Sequence, residues 1–197
     1  MAAFWHGRME WKNNTFTKNI VFMDKEKLFT VYHEIYATNF GFMSCIEKCD
    51  GRCEQKPLSV LLPYENEFIF TRSGKHICNE TLKLPKGALE IIGNTCNFTD
   101  GVQCFIHTHR PIACRLYPFY PNLTDNDELE LLIDDYCPLT ESLIRDSAYV
   151  SNIISALNKL IPLIDKDYWK MLNQIPSHLW DDTCKVRRVC VLAKDLQ

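Results

Sequence analysis

The chain has 197 residues, 46% of them apolar and 24% charged, with a net charge of −3 and ten cysteines. A chain of this size buries about 70% of its unfolded surface and builds a core of its own, which excludes an intrinsically disordered polypeptide. So small a net charge gives no global reason to expect nucleic acid or an anionic membrane as a partner.

Residues 1–25 read as a loose lead-in carrying one apolar patch, NIVFM, at 19–23. Residues 26–40 are expected to form a short helix, with Leu28, Val31, Tyr32 and Ile35 at helical spacing. After Cys45, Cys49 and Cys53 comes a β-like apolar run, Leu58–Leu62. Pro63 suits the first turn of a helix running through Glu67–Thr71 and stopped at Ser73–Gly74. ALEII at 88–92 and VQCFI at 102–106 read as strands around an Asp100–Gly101 turn, and LELLI at 129–133 as another. From Thr140 the period changes. Leu143, Ile144, Ile153, Ile154, Leu157, Leu160 and Ile161 fall largely on one helical stripe, with Thr140 as N-cap and Pro162 as the end. A further helical piece is expected at 165–174. The fold class is therefore α+β in a single domain: a small loop-rich cysteine-cluster core at about 45–138, with short strands and helices, and a helical C-terminal third at about 140–175.

The N-terminal sequence MAAFWHGRMEWKNN has no basic stretch followed by an apolar segment, and no run of about 18 apolar residues occurs. The expected address is cytoplasmic, without a membrane span. Thiols stay reduced there, so clustered cysteines point to metal or catalysis. Four N-x-[ST] sequons, at Asn13, Asn79, Asn97 and Asn122, run mildly against this and are read as incidental. No phosphate-binding glycine loop, HExxH or G-x-S-x-G appears, and DNDELE at 125–130 lacks the glycine and spacing of a calcium loop, leaving a solvated turn.

The first cysteine cluster, CIEKCDGRCE, spaces three thiols as C-x3-C-x3-C. On a helix they would share a face, whereas the Asp50–Gly51 pair suggests a turn that curls the sulfurs around one centre. Converging thiolates suit a thiophilic ion, with sulfur at about 2.3 Å from the metal, or an iron–sulfur cluster. The spacing differs by one residue from the C-x3-C-x2-C of radical-SAM enzymes, and no strand-rich barrel follows it. The second cluster holds Cys96, Cys104 and Cys114, with Cys137 beyond.

Together, C-x3-C at 49–53, CNFTDGVQC at 96–104, the segment C-x-I-x3-R-P-x2-C-R-x-Y-P-F at 104–119 and the terminal Cys137–Pro138 resemble the YkgJ-like family of zinc- or iron-chelating cysteine-cluster proteins. A related pattern occurs in the longer flagellin lysine N-methylases. The likeness covers roughly residues 45–138, and RPxxCRxYPF is its most specific part. Carried over position by position, it makes Cys45, Cys49, Cys53, Cys96, Cys104, Cys114 and Cys137 the metal-binding cysteines. Two positions depart from the family: Cys53 is followed by Glu54 rather than a second cysteine, and His107 stands where an aromatic residue is usual.

One iron–sulfur cluster or structural zinc takes four ligands, so seven cysteines leave three. Glu54 or a histidine would have to complete a second site. The resemblance implies iron, as an iron–sulfur cluster or otherwise, with zinc as the close alternative. Arg110 and Arg115 flank Cys114, where they would lower a thiol pKa and offset thiolate charge, or else pair with surface carboxylates. Tyr117, Phe119 and Tyr120 would shield such a site or simply fill core. Cys104-x2-His107 is a permissible zinc spacing, and a histidine near a thiolate would allow a Cys–His nucleophile pair, although loop histidines more often are solvated or packed. Cys78, beside His76, stands outside the pattern. Cys184 and Cys190 lie in CKVRRVCVLAK, whose Lys185, Arg187, Arg188 and Lys194 suggest an edge strand with a charged face rather than a basic contact patch.

The expected function is thus metal binding with a redox or protein-modification role. The alternatives are a structural-metal module that meets an unknown protein partner through its helical third, and an oxidised extracellular disulfide protein.

Overall fold

A computed structural model describes residues 23–38, 58–78, 80–84, 87–93, 107–175 and 186–194. Helix α1 (Lys25–Ala37) starts where Asp24 accepts a hydrogen bond from the Lys27 amide, and it buries Leu28, Tyr32, Ile35 and Tyr36 on one stripe, as its spacing predicts. Strand β1 (Leu58–Val60) precedes α2 (Glu65–Ser73). Pro63 sits in the turn before α2 rather than in its first turn, because Tyr64 takes a left-handed conformation (φ 61°) between them. Gly74, at φ 68°, closes α2 in the left-handed conformation that glycine adopts without steric cost.

Strand β2 (Glu80–Leu84) was not anticipated; it forms an antiparallel hairpin with β3 (Gly87–Gly93), whose other edge takes β1. The order is β1-β3-β2. A 3-10 turn at His107–His109 leads into the short α3 (Ile112–Leu116) and then β4 (Phe119–Leu123) and β5 (Leu129–Asp134). The expected strand at 102–106 and the Asp100–Gly101 turn lie outside the described residues. Among the described strands β4 is at the edge of its sheet, the position at which Pro121, without an amide hydrogen, is tolerated. β5 lies between β4 and β6 (Val186–Ala193) in a second antiparallel sheet.

The DNDELE segment is the β4–β5 turn, with Asp127 at φ 60° and its carboxylate paired to Lys166 (3.0 Å) and Lys170 (3.8 Å). The single helix expected from Thr140 is two helices, α4 (Thr140–Arg145) and α5 (Ser147–Leu160). The break falls at Asp146, whose extended backbone lets its side chain cap α5 by accepting from the Tyr149 amide. Thr140 is not an N-cap: its hydroxyl donates to the Asp134 carbonyl (2.6 Å), tying α4 to the end of β5. α5 stops at Leu160, and Pro162 sits in a 3-10 turn before α6 (Lys166–Leu172).

The fold is thus mixed α and β. Among the described residues, apolar side chains of the six helices and the two sheets form one contiguous core, with Trp169, Tyr32, Phe68 and Phe119 among its largest fully buried side chains. Phe68 is ringed edge-on by Phe29, Tyr32, His33 and Tyr36, at 4.8–5.4 Å between ring centres, which locks α2 to α1. The Tyr168 hydroxyl donates to the Leu61 carbonyl (2.7 Å), joining α6 to the exit of β1. Among the described residues no helix is long and apolar enough to cross a membrane.

Candidate functional site

Of the seven cysteines singled out by the sequence, Cys114 and Cys137 are described; Cys45, Cys49, Cys53, Cys96 and Cys104 lie outside the described residues, as does Cys184. Cys114 sits half-buried in α3, with its Sγ 3.3 Å from the Ser59 hydroxyl of β1, either atom being able to donate. Cys137 is buried just beyond β5, its amide donating to the Asp134 carbonyl.

Strand register fixes where the other cysteine-bearing segments attach. Leu58, the first residue of β1, pairs with Gly93, the last of β3, so the chain enters one strand and leaves the other at the same end of the sheet. Cys53 lies five positions before that entry and Cys96 three positions after that exit. Ser59, which touches Cys114, is next to Leu58 at that end. Cys104 precedes the described His107 by three positions in the sequence. On the second sheet Phe119 pairs with Ile133, so Cys114 and Cys137 both belong to the same end of the β4–β5 hairpin. There the Tyr117 hydroxyl donates to an Asp134 carboxylate oxygen (3.1 Å).

Glu65 lies behind this end and was not singled out by the sequence. It is fully buried, and three groups donate to it: the Ile112 amide (2.6 Å), the Tyr36 hydroxyl (3.1 Å) and the Leu62 amide (2.9 Å). The Ile112 amide is the first of α3, so Glu65 tethers the RPIACR segment to α2 and to the exit of β1. Burial drives the Glu65 pKa up to about 7, against the pull of its donors and of the Arg115 charge. Burial, and then the nearby Glu65 charge, raise the Tyr36 pKa as well. No local pattern marks Glu65. Its signal is long-range, since its donors come from positions 29 and 47 residues away as well as from the adjoining turn.

Arg115 lies over the Tyr36 ring, its guanidinium carbon 4.0 Å from the ring centre, and donates to the carbonyls of Arg110 (3.0 Å) and Thr108 (2.5 Å). It therefore holds the 108–110 turn, and among the described residues it pairs with no surface carboxylate. Burial lowers its pKa, and Arg110 nearby adds to that. A guanidinium nonetheless remains charged.

Tyr117 and Tyr120 are half-buried and Phe119 is fully buried against Tyr149, so the core-filling role holds for Phe119. Cys78 and Cys190 are half-buried, and burial raises the pKa of both thiols; Cys78 also donates to the Glu80 carbonyl. β6 carries the charged face expected of 184–194. Arg187 pairs with Asp135 and Glu141, Arg188 with Glu130, and Lys194 with Glu128, so these cations are matched within the fold. No three metal-ligating side chains come together among the described residues.

Comparison of the chain with protein-family models, with curated proteins and with solved structures finds no match.

Proposed function

We propose that the chain is a metal-binding cysteine-cluster protein, a loop-rich cysteine core with a helical C-terminal third, that holds iron as an iron–sulfur cluster, or else zinc. The ligands are drawn from Cys45, Cys49, Cys53, Cys96, Cys104, Cys114 and Cys137. The likeness of the cysteine pattern to the YkgJ-like family raised this reading. The observation that carries it is the meeting of the Leu58–Gly93 sheet end with the Cys114 thiol at Ser59.

The donor chemistry suits such a group. Thiolates prefer soft ions, and a four-thiolate centre carries net negative charge. Arg115 and Arg110 bring positive charge to the Cys114 segment, and the Ser59 hydroxyl is placed to donate to the sulfur. Glu65 accepts from the first amide of α3, the helix that carries Cys114. When bound, an iron–sulfur cluster supplies electron transfer, and zinc supplies a rigid tether or a Lewis acid.

The test is anaerobic purification followed by iron, zinc and acid-labile sulfide analysis. Brown protein with matched iron and sulfide is expected. Colourless protein with stoichiometric zinc would replace iron by zinc. Absence of both metals, with almost no thiols open to alkylation in denaturant without reductant, would sink the reading. Cys114→Ser should lose metal while keeping the far-UV circular dichroism of the helices.

A further inference from the structure

α3 has no cap of its own. Pro111 precedes it without a side-chain hydrogen bond, and the first amide of the helix, that of Ile112, is met instead by Glu65 Oε1 from α2 (2.6 Å). The same Oε1 accepts from the Tyr36 hydroxyl of α1 (3.1 Å), and Oε2 accepts from the Leu62 amide (2.9 Å). Two of these donors are backbone amides, which only donate. A proton on Glu65 therefore finds its acceptor in the Tyr36 oxygen, once the phenol hydrogen turns away. The cation acting on Glu65 is Arg115 of α3. From the other elements phenols face it, Tyr32 and Tyr36 of α1 and Tyr168 of α6, the last also feeling Glu90 of β3. The hydroxyls of Tyr32 and Tyr168 donate to the carbonyls of Pro63 and Leu61, and burial keeps both phenols protonated. Glu65 is fully buried, so its donors solvate it while α3 is docked, and water does so once α3 lifts.

We propose that the Glu65–Tyr36 pair is a proton-operated latch on α3: with a proton shared between the two side chains α3 stays docked, and loss of that proton releases it. The sign follows from burial. Docked, the Glu65 carboxyl keeps its proton up to a pKa of about 7, whereas the hydrated carboxyl of the lifted state has the ordinary value of 4.5. Lifting α3 therefore sheds a proton across that window, and rising pH favours the lifted state. The moving part is small: five residues, Ile112–Leu116, between Pro111 and Pro118, held in the core by Ile112 and Leu116. So short a helix, capped only from elsewhere in the chain, opens locally at less cost than the core elements around it. Lifting also parts Arg115 from the Tyr36 ring and Cys114 from Ser59, so the latch sets how far this segment is open to solvent. It rests on the contacts of Glu65 and not on the metal reading.

The experiment follows the full chain, as purified, by nuclear magnetic resonance between about pH 5.5 and pH 8. The side-chain carboxyl carbon of Glu65, assigned by its loss in Glu65→Gln, should titrate near pH 7. Amide hydrogen exchange, corrected for its intrinsic pH dependence, should show Ile112 losing protection by roughly 25-fold over that range. Ile112 should exchange faster than Ile153, buried in α5, and low urea should speed Ile153 but not Ile112, because a local opening exposes little surface. In Glu65→Gln the corrected exchange of Ile112 should be flat with pH. Should that variant fail to fold, the wild-type measurements decide alone, the carboxyl signal then being assigned by through-bond correlation. No titration of Glu65 in that range overturns the proposal, and so does Ile112 protection that is constant or rises with pH. A wild-type slope in Glu65→Gln overturns it too. So does urea acceleration of Ile112 equal to that of Ile153, because α3 would then open only with the whole fold.

Discussion

Replacing Glu65 by glutamine tests the tether between α2 and α3 through its pH dependence. The carboxyl has a pKa of about 7 in the fold against 4.5 without burial. Below pH 4.5 both the folded and unfolded chains hold the proton, and Glu65 contributes no pH dependence. Between pH 4.5 and 7 the folded chain keeps the proton that the unfolded chain has released, so stability falls as pH rises, and it levels off above pH 7. A tenfold change in proton affinity is worth about 1.4 kcal/mol, so the loss between pH 5 and pH 8 comes to roughly 2.5 kcal/mol.

Glutamine does not titrate, and its amide group faces at least one backbone N–H that the carboxylate accepted. Glu65→Gln should therefore cost about 1–3 kcal/mol near pH 5, and its deficit against wild type should close or reverse by pH 8. Urea denaturation of both proteins at the two pH values measures this, and taking the difference cancels the titration of every other group. A gap that stays constant, or widens toward pH 8, would refute the reasoning. It would mean that three donors and the Arg115 charge outweigh desolvation and keep Glu65 ionised at low pH.

Tyr168→Phe leaves the Leu61 carbonyl without its buried donor and should cost about 1–2 kcal/mol, seen as a Tm lower by roughly 3–6 °C; an unchanged Tm would show the bond to be dispensable. Asp127→Asn should keep Tm close to wild type in high salt, because asparagine tolerates the left-handed backbone there, while Asp127→Ala should fall measurably below it. Equal melting of the two variants would discount backbone conformation at that turn. Cys78 and Cys190, protonated through burial, should react slowly with iodoacetamide at pH 7.5, and the double serine variant should retain its full metal content. Loss of metal from that variant would bring one of them into the ligand set.

Local pattern made some elements legible and left others hidden. The stripe Leu28–Tyr32–Ile35, the Ser73–Gly74 stop, the alternation of β5 and the charged β6 were readable because each expresses itself within a few residues. β2 was missed because four of its five residues are exposed or half-exposed, which leaves ETLKL with almost no apolar alternation. β4 was obscured by Pro121, which is harmless only on the edge position that tertiary structure assigns it. The split between α4 and α5 depends on one capping aspartate inside an otherwise continuous stripe. At the candidate site, the Cys114 segment stood out by composition. Glu65 did not, because its importance comes from amides and a hydroxyl that folding brings to it.

The second sheet also carries a consequence for synthesis. β5 is its central strand, with Leu129, Leu131 and Ile133 fully buried, yet Val186 of its partner β6 lies 52 positions beyond Asp134. At about 5–20 residues per second, a ribosome leaves one edge of β5 open for roughly 3–10 s after the strand emerges. During that interval its unpaired amides and carbonyls are a template for a neighbouring nascent chain. Production should therefore suffer when initiation is frequent and polysomes are crowded, and recover when expression is slowed, with no change in the folded protein itself.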